Sequence, residues 1–476
     1  MKREKNLVQN TVILAIGSYL PKLTTLITLP LLTQHLTKAE YGTYDLMATL
    51  VSLLLPAATL QIQSAAFRFL IACRDSKEKK TVIISNIFAF TIPMSILGLS
   101  ITYYLLQNIP ADTKRWMMLY FFVDIIYIGI GQVSRGLGKN FSFAVAAILN
   151  SVVSMCGMCV ALLWLNAGLN GIILSVTTGG AAATVYMGFS TRIIQYFDSS
   201  KVSVHEIKKM LSYSWPMVPN ALSNWVLSLS DRLVLLNFIG IEANAVYAVA
   251  NKIPSLISAF RNNFTSAWQE NASLSVDDDD RIQYYSNMVN QVNCIFVGMI
   301  ACLIAFTPIM FSMLIRGDYD SAYPQIPILL LGVYFASMAQ FMGGIYIAYM
   351  KTKSVGITTM LAALCNLAVD ILLVRRIGIY AASISTLVSY LILFVYRLID
   401  VQKFQPLKIG YAKMFTYSGC LIAMGGMVTQ RIFWVDAVNC IFGISFAVVI
   451  NRKLATMMLK AITRKVSSVF HLNKEK

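Results

Sequence analysis

Val289 to Ile315 reads VNQVNCIFVGMIACLIAFTPIMFSMLI and contains no Asp, Glu, Lys, Arg or His. A run this long and this apolar exceeds the roughly 18 residues that an α-helix needs to cross a bilayer. It can only be helical there, because hydrocarbon offers no partner for unpaired backbone amides and carbonyls. Comparable runs recur along the whole chain. They predict an all-α polytopic membrane protein of about fourteen spans, the first at 8–33 and the last at 433–451. Composition agrees: of 476 residues 57% are hydrophobic and 13% charged, about half the charge of a soluble domain. The first apolar segment begins near Leu7 and is long enough to span, so no cleaved signal peptide is expected.

The net charge of +17 is an orientation signal rather than a nucleic-acid footprint. With the N-terminus inside, the inner loops and tails hold 28 of the Lys and Arg residues, counting Arg261 and Arg397 among them, and the outer loops hold 7. The positive-inside rule then places both termini in the cytoplasm. Cys156 and Cys159 form a C-x-x-C within an apolar run without a second pair of ligands, so they read as small buried hydrophobes. No metal or cofactor is expected.

The chain also repeats itself. Ala146-Ala147-Ile148-Leu149-Asn150 recurs as Ala362-Ala363-Leu364-Cys365-Asn366, and at the same offset Arg135 meets Lys351. Gly168-Leu169 and Ser175 are echoed by Gly378-Ile379 and Ser385, and Leu31-Leu32 up to Tyr44 by Leu235-Leu236 up to Tyr247. Two six-helix halves are implied, residues 1–198 and 199–403, with 404–476 supplying two further helices and a tail. An even number of spans per half makes the repeats parallel, an arrangement used by carriers that bind substrate between two lobes.

Polar residues inside the spans are the candidate site. Thr11, Ser18, Lys22 and Thr25 share one face of span 1, and Asn220, Asn224, Ser228 and Asp231 one face of span 7. Such stripes suit either a hydrated cavity or hydrogen bonding between helices. Lys22, Arg68, Arg232 and Lys252 are the in-span cations, costly at membrane depth and hence candidates for an anionic substrate. Snorkelling for Arg68, and an ion pair for Arg232 and Lys252 close to Asp231, are the competing structural readings. Asp124, Asp370 and Asp231 are candidate ion-coupling carboxylates, with packing as the alternative. Asp277-Asp278-Asp279-Asp280 falls in an inner loop of about 26 residues and reads as solvated. The sequence contains no Walker A, GxSxG or HExxH motif.

Leu29-Pro30-Leu31-Leu32-Thr33 through Glu40-Tyr41-Gly42-Thr43-Tyr44, then Arg68-Phe69, resembles the opening of the polysaccharide flippases in the multidrug/oligosaccharidyl-lipid/polysaccharide exporter superfamily. Asp231-Arg232-Leu233-Val234-Leu235 followed by Tyr247 resembles the start of their second half, and Arg135-Gly136-Leu137-Gly138 a further signature. The resemblance implies an O-antigen or capsule repeat-unit flippase in a bacterial plasma membrane. Its substrate would be an undecaprenyl-diphosphate-linked oligosaccharide moved by alternating access, and its pathway partners a polysaccharide polymerase and a chain-length regulator. Lys22, Arg68, Arg232 and Lys252 would then face the diphosphate, with Ser18, Thr25, Asn220 and Asn224 beside them. Two alternatives stay open: a multidrug or cation antiporter of the same superfamily, and a membrane polymerase or ligase. The four in-span cations disfavour the first, and outer loops of about ten residues or fewer disfavour the second.

Overall fold

The computed structural model describes residues 21–73, 75–106, 109–452 and 456, and all its regular elements are helical. Helix α1 is described over 21–35. It is followed by α2 (Lys38–Thr59), α3 (Ile62–Ala72), α4 (Lys77–Leu105), α5 (Ala111–Gly136), α6 (Asn140–Leu163), α7 (Gly168–Thr191) and α8 (Val204–Ser214). Then come α9 (Met217–Phe238), α10 (Ile241–Ala250), α11 (Lys252–Leu274), α12 (Arg281–Leu314), α13 (Gln325–Ala348), α14 (Thr352–Ile377), α15 (Tyr380–Val401), α16 (Tyr411–Val428) and α17 (Phe433–Ile450). Among the described residues nine helices are long and apolar enough to cross a membrane, and the bent pair α2–α3 makes a tenth. The protein is thus an all-helical polytopic membrane protein. Large apolar side chains such as Trp164, Phe433 and Trp434 are at least three-quarters exposed at helix ends, where amphipathic rings favour the headgroup level.

Several elements differ from the sequence expectation. Span 2 is two helices, broken where Leu60 and Gln61 adopt left-handed backbone (φ 47° and 59°), with a bend of 62°. The Gln61 carboxamide oxygen accepts from Gln63 Nε2 and Ser64 Oγ at the start of α3. Span 8 is α10 and α11 together, and α11 continues to Leu274. The expected 26-residue loop therefore shrinks to Ser275–Asp280, because polar residues such as Gln269 and Glu270 extend the helix. Asp277 to Asp280 are exposed there. Arg261 and Arg397, taken as inner-loop cations, are buried within α11 and α15. Moving both out of the tally leaves the basic asymmetry intact.

Packing groups the chain into two units. Unit 1 holds the chain up to Val249 with Leu314–Tyr319 and Thr359–Ala382; unit 2 holds Ala250–Met313, Asp320–Thr358 and the chain from Ser383. In unit 1, Ile62, Ala66 and Leu70 of α3 pack with Ile84 and Ile87 of α4, Val133 of α5 and Met187 of α7. Small residues set the closest approach. Gly171, Ser175 and Gly179 form a stripe on α7 facing α6, and a Cβ on Gly179 would lie 2.0 Å from Ser154 Oγ. Small residues four apart are a usual way for membrane helices to meet. Beyond α7, Asn86 binds the Lys201 carbonyl and the Ser203 amide. The Ser200 hydroxyl and amide both donate to Asp198 and hold its carboxyl below the usual carboxylate range. In unit 2, Trp268 of α11 stacks on Phe341 of α13 with ring centroids 4.4 Å apart, and its Nε1 donates to the Phe341 carbonyl at 3.0 Å.

Candidate functional site

The densest buried charge lies in unit 1, at the end where α1 turns into α2. Thr37 starts α2 with a reciprocal cap: its hydroxyl accepts from the Glu40 amide, and the Glu40 carboxylate accepts from its amide. This fixes the register that carries Asp45 two turns inward. Gly42 lets α2 meet the start of α10, since a Cβ there would lie 2.3 Å from the Ile241 carbonyl oxygen. Asn244 Nδ2 donates to the Gly42 carbonyl at 3.0 Å across the same contact. Trp225 Nε1 of α9 donates to the Thr49 carbonyl at 3.2 Å. These contacts bring α2, α9 and α10 together, with Asp45, Arg232 and Tyr247 six or seven residues from one end of their helices, about 10 Å deep at 1.5 Å per residue.

At that depth Arg232 Nε meets Asp45 Oδ2 at 2.6 Å, with side-chain exposures of 11% and 8%. An ion pair close to Asp231 is one of the two sequence readings for Arg232; its partner is Asp45, 187 residues away. Asp231 accepts a 2.6 Å hydrogen bond from the Tyr247 hydroxyl, and Arg232 lies over the Tyr247 ring. Ser230 donates to Asn366 Oδ1 of α14 at 3.2 Å. One turn further, Asp370 is completely buried, and neither of its carboxylate oxygens is hydrogen-bonded within the described structure. Its electrostatic neighbour is Asp231. Asp370, fully buried and without a hydrogen bond within the described structure, is the member of this group that a proton or cation would best stabilise in a low-dielectric interior.

The other predicted residues are distributed differently. Lys22 and Thr25 are exposed on α1, while Ser18 and Thr11 lie outside the described residues. Arg68 is exposed on α3. On α9 the stripe divides: Asn220, Asn224 and Ser228 are exposed, and Asp231 is buried. Lys252 is half-buried at the first position of α11, in unit 2. Asp124 sits on α5 one helical turn from Tyr120 and Tyr127. The structure thus gathers Asp231, Arg232 and Asp370, and leaves Lys22, Thr25, Arg68 and Asp124 outside that cluster. Sequence reading missed Asp45, which borders the expected start of span 2 and so looks like a loop acid. Among the described residues no three His, Cys, Asp or Glu side chains are placed to hold a metal ion.

The helical membrane fold is similar to those of known transporters. The fold is similar to that of the lipid II flippase MurJ in an inward closed conformation, with TM-score 0.69 and 13% identity, over 95% of this chain and 100% of that one. It is also similar to a MOP superfamily transporter from Pyrococcus furiosus, with TM-score 0.56 and 14% identity over 83% and 95% of the two chains. A third match is the Vibrio cholerae MATE transporter VcmN, with TM-score 0.58 and 12% identity over 84% and 96%. The fold is thus similar to that of MOP superfamily transporters. A sequence profile described as polysaccharide biosynthesis protein matches residues 7–268, more than half of the chain. The chain belongs to the polysaccharide biosynthesis protein family. No curated protein matches it.

Proposed function

We propose that the protein is a flippase that carries an undecaprenyl-diphosphate-linked oligosaccharide from the inner to the outer leaflet of a bacterial plasma membrane. It would do so by alternating access, with fourteen spans and both termini cytoplasmic. The observation that carries this reading is the divided stripe on α9. Its first three turns expose Asn220, Asn224 and Ser228, and its far end is sealed where Arg232 binds Asp45. With the N-terminus inside, the exposed part faces the cytoplasm and the ion pair closes the outer end. That is the state in which a carrier accepts an inner-leaflet substrate. The family membership and the fold shared with a lipid II flippase support the same reading.

Residue roles follow as proposals. Lys22 and Arg68, exposed cations on α1 and α3, take the diphosphate with Lys252, while Ser18, Thr25, Asn220 and Asn224 hydrogen-bond to it. Arg232 acts on closure through Asp45. Asp370 and Asp231 exchange a proton or cation as the outer end opens, and Asp124 is a further coupling carboxylate. The two repeat-related lobes, 1–198 and 199–403, are supported by Gly168 and Gly378. The repeat pairs these two glycines, and both take positive φ (54° and 59°) at the entry to α7 and α15.

Deleting the gene tests the function. Surface polysaccharide should disappear while its lipid-linked repeat unit accumulates on the cytoplasmic face. Normal translocation with altered chain length alone would favour the polymerase reading, and unchanged polysaccharide with lost drug efflux the antiporter.

A further inference from the structure

The starts of α2, α5 and α7 enclose a cleft of about 490 Å³ that the roles assigned above leave unused. Its size is within the range of small-molecule sites, and it lies wholly in unit 1. The connections that border it, α1–α2, α4–α5 and α6–α7, are all outer ones in the proposed orientation. Glu40 and Thr43 line it from α2, Thr113 from α5 and Asn170 from α7, and Ile109, Pro110 and Leu169 supply apolar walls. No Lys, Arg or His is among its described lining residues.

Each polar group in the cleft is fixed by one interaction and keeps capacity for another. Glu40 Oε2 accepts from the Thr37 amide and hydroxyl at 3.0 and 2.9 Å, while Oε1 accepts nothing within the described structure. That free oxygen lies against the entry to α7, where a Cβ on Gly168 would meet it at 3.1 Å. Asn170 Oδ1 accepts from the Thr113 hydroxyl at 3.0 Å, and its Nδ2 donates nothing within the described structure. Thr43 Oγ1 donates to the Ala39 carbonyl at 2.8 Å and keeps its lone pairs. The free set is two acceptors and one amide donor. The repeat shows that the fold does not demand it. Setting Gly168 against Gly378 puts Tyr380 at the place of Asn170, and setting Tyr44 against Tyr247 puts Val246 at the place of Thr43.

The set selects a ligand by elimination. An ionised phosphate or carboxylate only accepts, so it would use Asn170 alone and meet Glu40 as a like charge. An ammonium only donates and would leave Asn170 unpaired. A hydroxyl does both. Adjacent hydroxyls of a sugar ring accept from Asn170 and donate to Glu40 and Thr43, while the C–H face of the ring rests on the apolar walls. We propose that this cleft is a binding site for an uncharged sugar residue on the outer face of unit 1. The proposal rests on the flippase reading and deepens it. The cleft would receive a sugar of the oligosaccharide as it emerges, apart from the cations assigned to the diphosphate.

The test uses purified full-length protein in lipid nanodiscs, free of sugar-headed detergent. Saturation-transfer difference NMR is recorded with methyl glucoside, methyl galactoside, N-acetylglucosamine and sodium glucuronate. At least one of the three uncharged sugars should receive saturation from the protein, and glucuronate should receive none. Asn170→Asp keeps the acceptor for Thr113 and removes the free donor. Thr43→Val keeps the shape and removes a free acceptor. Each variant should raise the sugar concentration for half-maximal signal about fivefold, the weight of one neutral hydrogen bond. No saturation of any uncharged sugar, glucuronate saturated as strongly as they are, or equal signals from wild type and both variants overturns the site. Should Asn170→Asp fail to accumulate, Thr43→Val decides by the same measurement. Sugar binding that depends on Asn170, in a protein whose deletion leaves translocation intact, keeps the site and removes the flippase reading. Deletion that stops translocation, in a protein that binds none of the sugars, keeps the flippase reading and removes the site.

Discussion

Removing one member of the Arg232–Asp45 pair strands the other in a site where each side chain is about nine-tenths buried and the contact is 2.6 Å. Losing one partner of a buried ion pair typically costs ~3–5 kcal/mol, mostly the desolvation of the survivor. The two single variants should not be equal. Arg232→Met leaves a carboxylate that can take up a proton, so its cost should fall near the lower end. Asp45→Leu leaves a guanidinium that cannot become neutral, so its cost should fall near the upper end. The double variant Asp45→Leu/Arg232→Met removes both charges and should come within about 1 kcal/mol of wild type, or above it. Thermal and denaturant unfolding of the four purified proteins in one detergent at pH 7 gives the cycle. A coupling energy of ~2–4 kcal/mol is expected, within reach of close charge pairs measured elsewhere. Coupling below ~0.5 kcal/mol is the additive behaviour of independent sites, and would refute the claim that this pair holds α2 to α9.

Asp370→Asn removes the need for a proton or cation at a fully buried carboxylate; abundance should hold while export loses its dependence on the pH or sodium gradient, and gradient-dependent export by the variant would exclude Asp370. Gly179→Leu should reduce folded protein several-fold, because even its Cβ collides with Ser154, whereas Gly188→Leu, with open space around it, should accumulate normally; fluorescence size-exclusion of tagged variants compares them. Lys22→Ala should abolish export at near-normal abundance and Lys22→Arg should keep part of it, whereas full export by Lys22→Ala would remove Lys22 from the substrate site. Reporter fusions should read outside after Asp112 and Asp318 and inside after Ser203, and any reversal overturns the proposed orientation.

The helices were legible because hydrocarbon imposes one rule on every span: long apolar runs such as Val289–Ile315 can satisfy their backbone only by coiling. What escaped were features without a local signature. Leu60 and Gln61 carry neither Gly nor Pro, so nothing in the sequence marks the break between α2 and α3. The extension of α11 to Leu274 is too polar for a hydropathy reading, which also pushed Arg261 to a loop. Asp231, Arg232 and Asp370 were recognisable as costly in-span charges. Their arrangement was not, since Asp45 reaches Arg232 only through the close approach at Gly42 and Asn244. The divided exposure of Asn220, Asn224, Ser228 and Asp231 was equally hidden. Periodicity puts the four on one face and carries no information about which end of that face is covered.

The elbow between α2 and α3 has a mechanical meaning of its own. A proline kink is compliant, because a missing hydrogen bond leaves the angle free to drift over a broad minimum. Leu60 and Gln61 each occupy the small left-handed region, which for side chains with a Cβ is a narrow well bounded by steric walls. The segment carrying Arg68 is therefore set at its angle like a ratchet tooth. Small forces on it are resisted, and any larger reorientation must cross a barrier and land in a second discrete position. A load applied to α3 would register as a click rather than a stretch.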